Sequence, residues 1–115
     1  MKRITVRNGV RKITLNGKKV SFFGKIFGLM FKTCDTENLI FDFNRKTRIR
    51  IHSFFVFFDF LAVWVDENNK VVDFRIVKPF TASIKSRKPY FRLIEIPINE
   101  RNKKIIRFFV GEGKI

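Results

Sequence analysis

The segment that decides the fold is LAVWVDENNKVVDFRIV, residues 61–77. It starts with the apolar run 61–65, continues through the polar segment DENNK at 66–70, and resumes with a second β-rich run at 71–77. Apolar runs of this length on both sides of a short polar turn are typical of a hairpin buried in a sheet. The segment therefore predicts two antiparallel strands joined by a tight turn.

The residues before this hairpin predict a second antiparallel pair. Apolar and polar residues alternate in 39–43 and again in 48–52, and the polar segment 44–47 between them is typical of a loop. In the second of these strands, the alternation directs Ile49 and Ile51 into the core.

The residues after the hairpin predict two more strands. Pro79 ends the preceding strand because proline has no N–H to donate to a sheet ladder. Alternation in 90–96 and the apolar residues of 104–110 then predict the next two strands.

The N-terminal part of the chain predicts a hairpin followed by a helix. Residues 2–7 and 10–15 alternate around Asn8-Gly9, a dipeptide that favours the positive φ angles of a hairpin turn. Asn16-Gly17 predicts a second turn. In 21–31, apolar residues recur at the i, i+3, i+4, i+7 spacing of a helix, although Gly24 and Gly28 weaken the prediction.

Together these segments predict a mainly β fold: a small, barrel-like or curled, mostly antiparallel sheet of about eight short strands with one short helix at about 21–31. The length of 115 residues predicts a single domain spanning 1–115, with an N-terminal hairpin at 1–20. Apolar residues make up 45% of the chain, which excludes intrinsic disorder.

The charge of the chain predicts an anionic partner. Twenty-five Lys and Arg residues against ten Asp and Glu give a net charge of +15, and the first 34 residues contain nine cations and no acid. We expect nucleic acid or another polyanion to bind a basic surface. The candidates for this contact are Arg48, Arg50, Lys78, Arg87, Lys88 and Arg92.

The composition also bears on cellular location and on the source of the chain. A single cysteine and the lack of an apolar leader predict a cytoplasmic protein. The longest apolar stretch, 54–65, is shorter than the roughly 20 residues of a membrane span, so we expect no span. The absence of Gln and the abundance of Lys, Arg and Ile resemble hyperthermophile usage.

A Phe-rich pocket is the alternative site. The run FFVFF at 54–58 predicts mostly core residues, yet part of it could line a cavity for a small apolar molecule or a peptide. The candidates for this pocket are Met30, His52, Ser53, Phe55 and Trp64. An exposed aromatic edge could instead form the interface of a weak homodimer. We expect the chain to be either a monomer or such a dimer.

The sequence contains few residues that could form a catalytic site or a metal site. His52 is the only histidine, and Ser53 is too close to it in sequence to be assumed its partner in a triad. A Cys34–His52 pair lacks a third orienting group. One His and one Cys cannot complete a zinc site, and no glycine-rich phosphate loop is present. We therefore predict no catalytic residue, no metal and no cofactor; a Cys/His-dependent enzyme is the least favoured reading.

The order of several short motifs resembles the domain of unknown function 192 family (uncharacterised protein family 0127). That family's pattern begins with a Gly-Leu-Met segment, an apolar strand ending in Phe, and a dipeptide of an aromatic or His residue followed by Met. It continues with a Phe-rich stretch, a hairpin with an acidic turn, a Lys-Pro-aromatic step and a strand with Glu and Pro. The matching segments here are Gly28 to Met30, 39–43, 51–53, 54–58, 66–72, 78–80 and 93–97.

The resemblance covers about residues 22–115 and implies a compact β-rich fold, while the family has no assigned activity. The chain departs from the family pattern at two positions: Ser53 stands where the pattern has Met, and Asp59-Phe60-Leu61 stands where it has Pro-apolar-Asp. If those positions form a family pocket, this chain lacks part of it.

Overall fold

A computed structural model describes residues 2–20 and 28–111 of the chain. In this part the chain forms six strands and one helix: β1 (Lys2–Asn8), β2 (Arg11–Lys19), β3 (Leu39–Thr47), β4 (Phe60–Val65), β5 (Val71–Val77), β6 (Tyr90–Pro97) and α1 (Lys103–Val110). The strands form one curled sheet in the order β1-β2-β3-β6-β4-β5, and only β2 and β3 pair in parallel. The predicted mainly β class is confirmed, with six strands instead of about eight.

The predicted central hairpin is β4–β5. β5 pairs with one edge of β4 and β6 with the other, and all six residues of β4 are buried because both faces of the sheet are covered. The turn is held by Asp66, whose Oδ1 accepts hydrogen bonds from the backbone N–H groups of Asn68 and Lys70, each at 2.9 Å. Asn69 completes the turn with a φ of 61°, a conformation that asparagine tolerates.

The sheet has an apolar core on each face. Alternate residues along β4 belong to different cores: Leu61, Val63 and Val65 face the β1–β2 hairpin and α1, whereas Phe60, Ala62 and Trp64 face the segments that connect the strands. Burial on both faces explains why the run 61–65 is continuously apolar.

The N-terminal hairpin forms as predicted, with Gly9 at a φ of 67° in its turn. The second turn predicted at Asn16-Gly17 is wrong, because β2 continues to Lys19 and pairs with β3. Gly17 lies where these strands approach closely: a Cβ on it would be only 2.9 Å from Cγ1 of Ile40. The glycine therefore serves packing and not a turn.

The pair predicted from 39–43 and 48–52 is also wrong. β3 extends through the predicted loop to Thr47, with a positive φ at Asn44, and pairs with β6 and β2. Residues 48–52 form no strand; Ile51 makes a single bridge to Ile84, and Ile49 is 46% exposed and not directed inward.

The helix prediction has to be moved along the chain. Residues 104–110, predicted as a strand, lie in α1, which buries Ile106 and Phe109 at the i, i+3 spacing of a helix face. Of the helix predicted at about 21–31, residues 28–31 form a turn and 21–27 lie outside the described residues. No helix in the described part of the chain is long and apolar enough to cross a membrane.

Candidate functional sites

The outer face of the β1–β2 hairpin carries a group of closely spaced cations. The register places Arg7 opposite Lys12 and Thr5 opposite Thr14, and Arg3 follows Thr5 on the same face. All five side chains are exposed, and the two threonine hydroxyls share a hydrogen bond of 2.6 Å. Like charges directly opposite each other destabilise a strand pair. Within residues 2–20 and 28–111, Arg3, Arg7 and Lys12 form no ion pair.

The β4–β5 turn adds a fourth cation to this face. The backbone N–H of Arg7 donates to the carbonyl of Asn69 at 2.9 Å, and Arg7 and Lys70 are bridge partners. Lys70 is exposed and likewise forms no ion pair with any residue that the structure describes. We call the surface of Arg3, Arg7, Lys12 and Lys70 the hairpin cationic face.

Three of the six cations predicted to bind a polyanion have carboxylate partners. The Nζ of Lys78 lies 2.6 Å from Oδ2 of Asp59, and the Nε of Arg87 lies 3.0 Å from Oδ1 of Asp73. Their charges are therefore partly offset within the fold.

The third pair, Arg92 with Asp42, is largely buried. The Nε of Arg92 donates to Asp42 at 2.9 Å, and its Nη1 donates to Asn69 Oδ1 at 3.0 Å. Burial of Asp42 acts to raise the pKa of its carboxyl, but hydrogen bonds from the Asn44 N–H and from Arg92, with the charge of Arg92, hold that pKa below its usual range. Arg92 thus fixes the turn against β3 and β6.

The other three predicted cations are exposed. Arg48, Arg45, Lys46 and Pro89 line a shallow depression. Lys88 directly precedes Pro89 in the chain and is exposed. Arg50 has one long contact, from Nη1 to the hydroxyl of Ser83 at 3.5 Å. Of the predicted residues, these three have no carboxylate partner in the part of the chain that the structure describes.

A cavity of about 100 Å³ lies on the sheet face opposite the β1–β2 hairpin. We call it the Glu95 cavity, because Glu95 is the one acidic residue among the described residues that line it. Its walls are mostly apolar, and the exposed residues Ile49, Arg50 and His52 border it, so solvent can reach it from that side. The lining residues are Gly28, Leu29, Phe41, Phe43, Ile49, Arg50, Ile51, His52, Val56, Phe60, Leu93 and Glu95.

Glu95 is held in the middle of the sheet. Its strand, β6, lies between β3 and β4, and its neighbours on those strands are Leu39 and Ala62. The side chain is only 5% exposed, and no hydrogen bond or ion pair to it is found in the part of the chain that the structure describes. A Cβ added to Gly28 would lie 3.3 Å from Glu95 Oε1, so the missing side chain there leaves room for the carboxyl group.

The surroundings of Glu95 favour its protonated form. Burial raises the pKa of Glu95 to about 8, because an apolar environment disfavours the charged carboxylate. Burial and the charge of Glu95 also raise the pKa of Tyr90, whose hydroxyl donates to the Ile49 carbonyl at 2.6 Å. Glu95 is not among the site residues predicted from the sequence, although a single acid on the core-facing side of an alternating strand is a usable signal.

Of the five predicted pocket residues, only His52 lines the Glu95 cavity. Ser53 is buried, where its hydroxyl donates to the Lys78 carbonyl and accepts the Thr81 N–H, both at 2.6 Å. Trp64 is completely buried in the core. Met30 packs against the same core, and Phe55 is 46% exposed.

Phe55 belongs to a cluster of exposed aromatic rings. It stacks on Phe31 with 5.1 Å between ring centroids and meets Phe80 edge to face at 6.0 Å; Phe57 lies 5.4 Å from Phe80. Phe31, Phe55 and Phe80 all have φ near 60°, which is rare for a bulky residue. The expectation that the Phe run mostly fills the core is therefore wrong for Phe54, Phe55 and Phe57, which are 42–60% exposed.

The described residues contain no group of three or more His, Cys, Asp or Glu side chains arranged to hold a metal ion. Cys34 is exposed, with a free thiol. His52 accepts a hydrogen bond at Nδ1 from the Phe54 N–H at 3.2 Å and packs beside the Phe54 ring. These contacts give His52 a local structural role.

Comparison with known proteins shows the fold without a function. No protein-family model matches the chain, and no curated protein does. A protein of unknown function from Novosphingobium aromaticivorans is similar in structure, with a TM-score of 0.70 and 16% identity over 90% of this chain and 76% of that chain. A protein from Sinorhizobium meliloti described as "a putative transcription regulator" has a TM-score of 0.72 and 16% identity over 90% of this chain and 84% of that chain.

Proposed function

We propose that this chain is a non-catalytic binding domain whose hairpin cationic face binds a polyanion, with single-stranded nucleic acid as the representative ligand. The observation that carries the proposal is the cross-strand pair of Arg7 and Lys12, exposed and without an ion-pair partner among the described residues. Such a pair destabilises the free hairpin, and a phosphate bound between the two side chains would remove that repulsion.

Two further features of the face support a phosphate ligand. The hydroxyls of Thr5 and Thr14 lie beside Arg7 and Lys12; one of them donates to the other, and the one that accepts can donate its own hydrogen to a phosphate oxygen. The net charge of +15 attracts a polyanion from a distance and speeds its association. The Sinorhizobium protein is described as a transcription regulator, but the argument for this chain rests on its own charges.

The salt dependence of binding tests the proposal. We would compare the double variant Arg7→Gln with Lys12→Gln against a control, Lys104→Gln with Arg107→Gln, which removes the same charge from exposed positions on α1. Binding of a fluorescent oligothymidine is followed by anisotropy between 50 and 200 mM salt. Loss of two phosphate contacts should reduce the log–log slope by about 1.4, at about 0.7 per contact.

The control variant should keep the wild-type slope, because α1 lies outside the proposed contact. Equal losses for both variants would mean that net charge alone drives binding, and this would contradict a defined face. Absence of binding by the wild-type protein at 50 mM salt would reject the proposal outright.

We also propose that the chain is a divergent member of the domain of unknown function 192 family and works in the cytoplasm. The ordered motifs from Gly28 to Pro97 support membership, and an exposed free thiol at Cys34 suits a reducing compartment. Superposition on a structure of an established member should align the Gly-Leu-Met and Glu-x-Pro segments. Different positions for these segments would overturn membership.

A further inference from the structure

The Glu95 cavity contains a polar group that the fold does not use. A buried carboxyl group normally has a hydrogen-bond partner, because losing water without replacement costs about 1–3 kcal/mol. Glu95 is 5% exposed and has no such partner in residues 2–20 and 28–111, and since its oxygens are not among the completely buried unpartnered atoms, the small exposed area that they keep faces the cavity. Its neighbours across the sheet, Leu39 and Ala62, are apolar, so a leucine would suit this position better for stability alone.

The carboxyl group of Glu95 lines a cavity that is large enough to matter for binding. About 100 Å³ is two-thirds of the 150 Å³ cavity that holds benzene, so a molecule with six heavy atoms, such as a five-membered ring with one oxygen, fits only with part of it in the opening beside Ile49, Arg50 and His52. The side chains of Phe41, Val56, Phe60 and Leu93 supply apolar contact. A mostly apolar pocket with one polar group is the usual composition of a small-molecule site.

We propose that the Glu95 cavity binds a small, largely apolar molecule through one oxygen atom that accepts a hydrogen bond from the carboxyl group of Glu95. The ligand class is that of small ketones, esters, amides or alcohols. This site is separate from the hairpin cationic face, and neither proposal depends on the other.

The charges around the cavity favour a neutral ligand. Arg50 borders the cavity and the whole chain carries +15, so a cationic ligand meets repulsion. An anionic ligand would have to leave water for apolar walls. Because burial raises the pKa of Glu95 to about 8, this carboxyl group is protonated at neutral pH and can donate.

Among the described residues, the ionisable groups near Glu95 are Arg50, His52 and Tyr90. His52 lines the same cavity from residues 48–52, and Tyr90 lies on the same strand as Glu95. The facing residues of β3 and β4, which include Leu39, Phe41 and Ala62, carry no charge. A variant of Glu95 and a variant of His52 therefore show whether a change of ligand affinity with pH depends on the carboxyl group or on the imidazole.

The test uses one ring with three head groups. Cyclopentanone, cyclopentylammonium and cyclopentanecarboxylate are titrated separately into the isotope-labelled protein, and shifts are followed at the signals of residues that line the cavity. The protein variants are Glu95→Leu, Glu95→Gln, His52→Gln and the control Glu100→Gln, whose side chain is 88% exposed on the wild-type surface.

We expect cyclopentanone to bind the wild-type protein at pH 6 and to bind about tenfold more weakly at pH 9, where about one molecule in eleven keeps the Glu95 proton. The variants His52→Gln and Glu100→Gln should keep this dependence. Glu95→Leu should lose binding. Glu95→Gln, whose amide still donates, should bind equally at both pH values, and it keeps the test valid if Glu95→Leu does not fold.

Several results would overturn the inference. No cavity shifts with cyclopentanone would reject the site. Undiminished binding by a folded Glu95→Leu would show that the carboxyl group plays no part. Stronger binding of cyclopentylammonium as the pH rises would assign the cavity to cations and contradict the proposed ligand class.

Discussion

At the scale of single residues, Glu95 makes the stability of the fold depend on pH. A carboxyl group whose pKa is about 8 in the folded chain and about 4.3 in the unfolded chain binds more protons when folded. Its contribution to stability is present in full below about pH 4 and is lost as the pH rises to about 8. The full loss is on the order of 5 kcal/mol.

The variant Glu95→Gln should therefore become progressively more stable than the wild-type protein between pH 5 and pH 9. Urea denaturation at several pH values measures this difference, with the exposed Glu100→Gln as the control. The pKa of Asp42 is held low, so the stability that its carboxylate contributes is lost only as the pH falls into the acid range, and this loss is the same in both proteins. A constant difference across the range would show that Glu95 is ionised in the folded state.

Single residues also show where sequence reasoning failed. Gly17 follows an asparagine, as a turn glycine does, yet its role is set by Ile40, which lies far away in sequence. Glu95 occupies a core-facing strand position that alternation identifies, but nothing local reveals a cavity lined by residues from 28 to 95. Contacts between distant segments carried the missing information in both cases.

At the scale of elements, the residues of α1 were predicted to be a strand although their apolar positions follow a helical period. Residues 105–106 and 108–109 form two apolar pairs three positions apart, which suits a period of 3.6 and not the period of 2 expected for a strand. The β4–β5 hairpin was predictable because its apolar runs and its turn all lie within one short segment.

Alanine substitutions in α1 distinguish the two assignments. In the helix, Ile106 and Phe109 share the buried face, so Ile106→Ala and Phe109→Ala should each lower the free energy of unfolding by about 2–5 kcal/mol. Lys104 is exposed, and Lys104→Ala should change little. In a strand, Ile106 and Phe108 would share a face. A larger loss for Phe108→Ala than for Phe109→Ala would therefore contradict the helix.

At the scale of the whole molecule, the phenylalanines of the described residues are divided mainly between two cores and an exposed cluster. The composition alone does not show this division, because it depends on which connecting segments cover the sheet. Phe57 is 60% exposed and Phe60 is 1% exposed, although only two residues separate them.

These two residues make a matched pair for a stability measurement. Phe60→Ala should cost about 3–5 kcal/mol because it leaves a cavity in the core. Phe57→Ala should cost no more than about 1 kcal/mol, since its ring is largely in water already and loses only its edge contact with Phe80. Thermal unfolding compares both with the wild-type protein, and similar losses for the two would show that the Phe57 ring is buried.

The charge distribution is the other property of the whole molecule. The sequence predicts a basic surface without saying which cations share it. The fold brings together Arg7 from β1, Lys12 from β2 and Lys70 from the β4–β5 turn. It also pairs Lys78, Arg87 and Arg92 with carboxylates. Ion pairing of this kind depends on the register of strands and could not be derived from spacing along the chain.

The most direct measurement is a residue-by-residue map of oligothymidine binding by amide chemical shifts in the isotope-labelled protein at 50 mM salt. We expect the largest changes at Arg3, Thr5, Arg7, Lys12 and Lys70, with reversal of these changes at 500 mM salt as counterions compete. Changes centred on another surface, or spread evenly over all exposed lysines and arginines, would contradict a polyanion site on the hairpin cationic face.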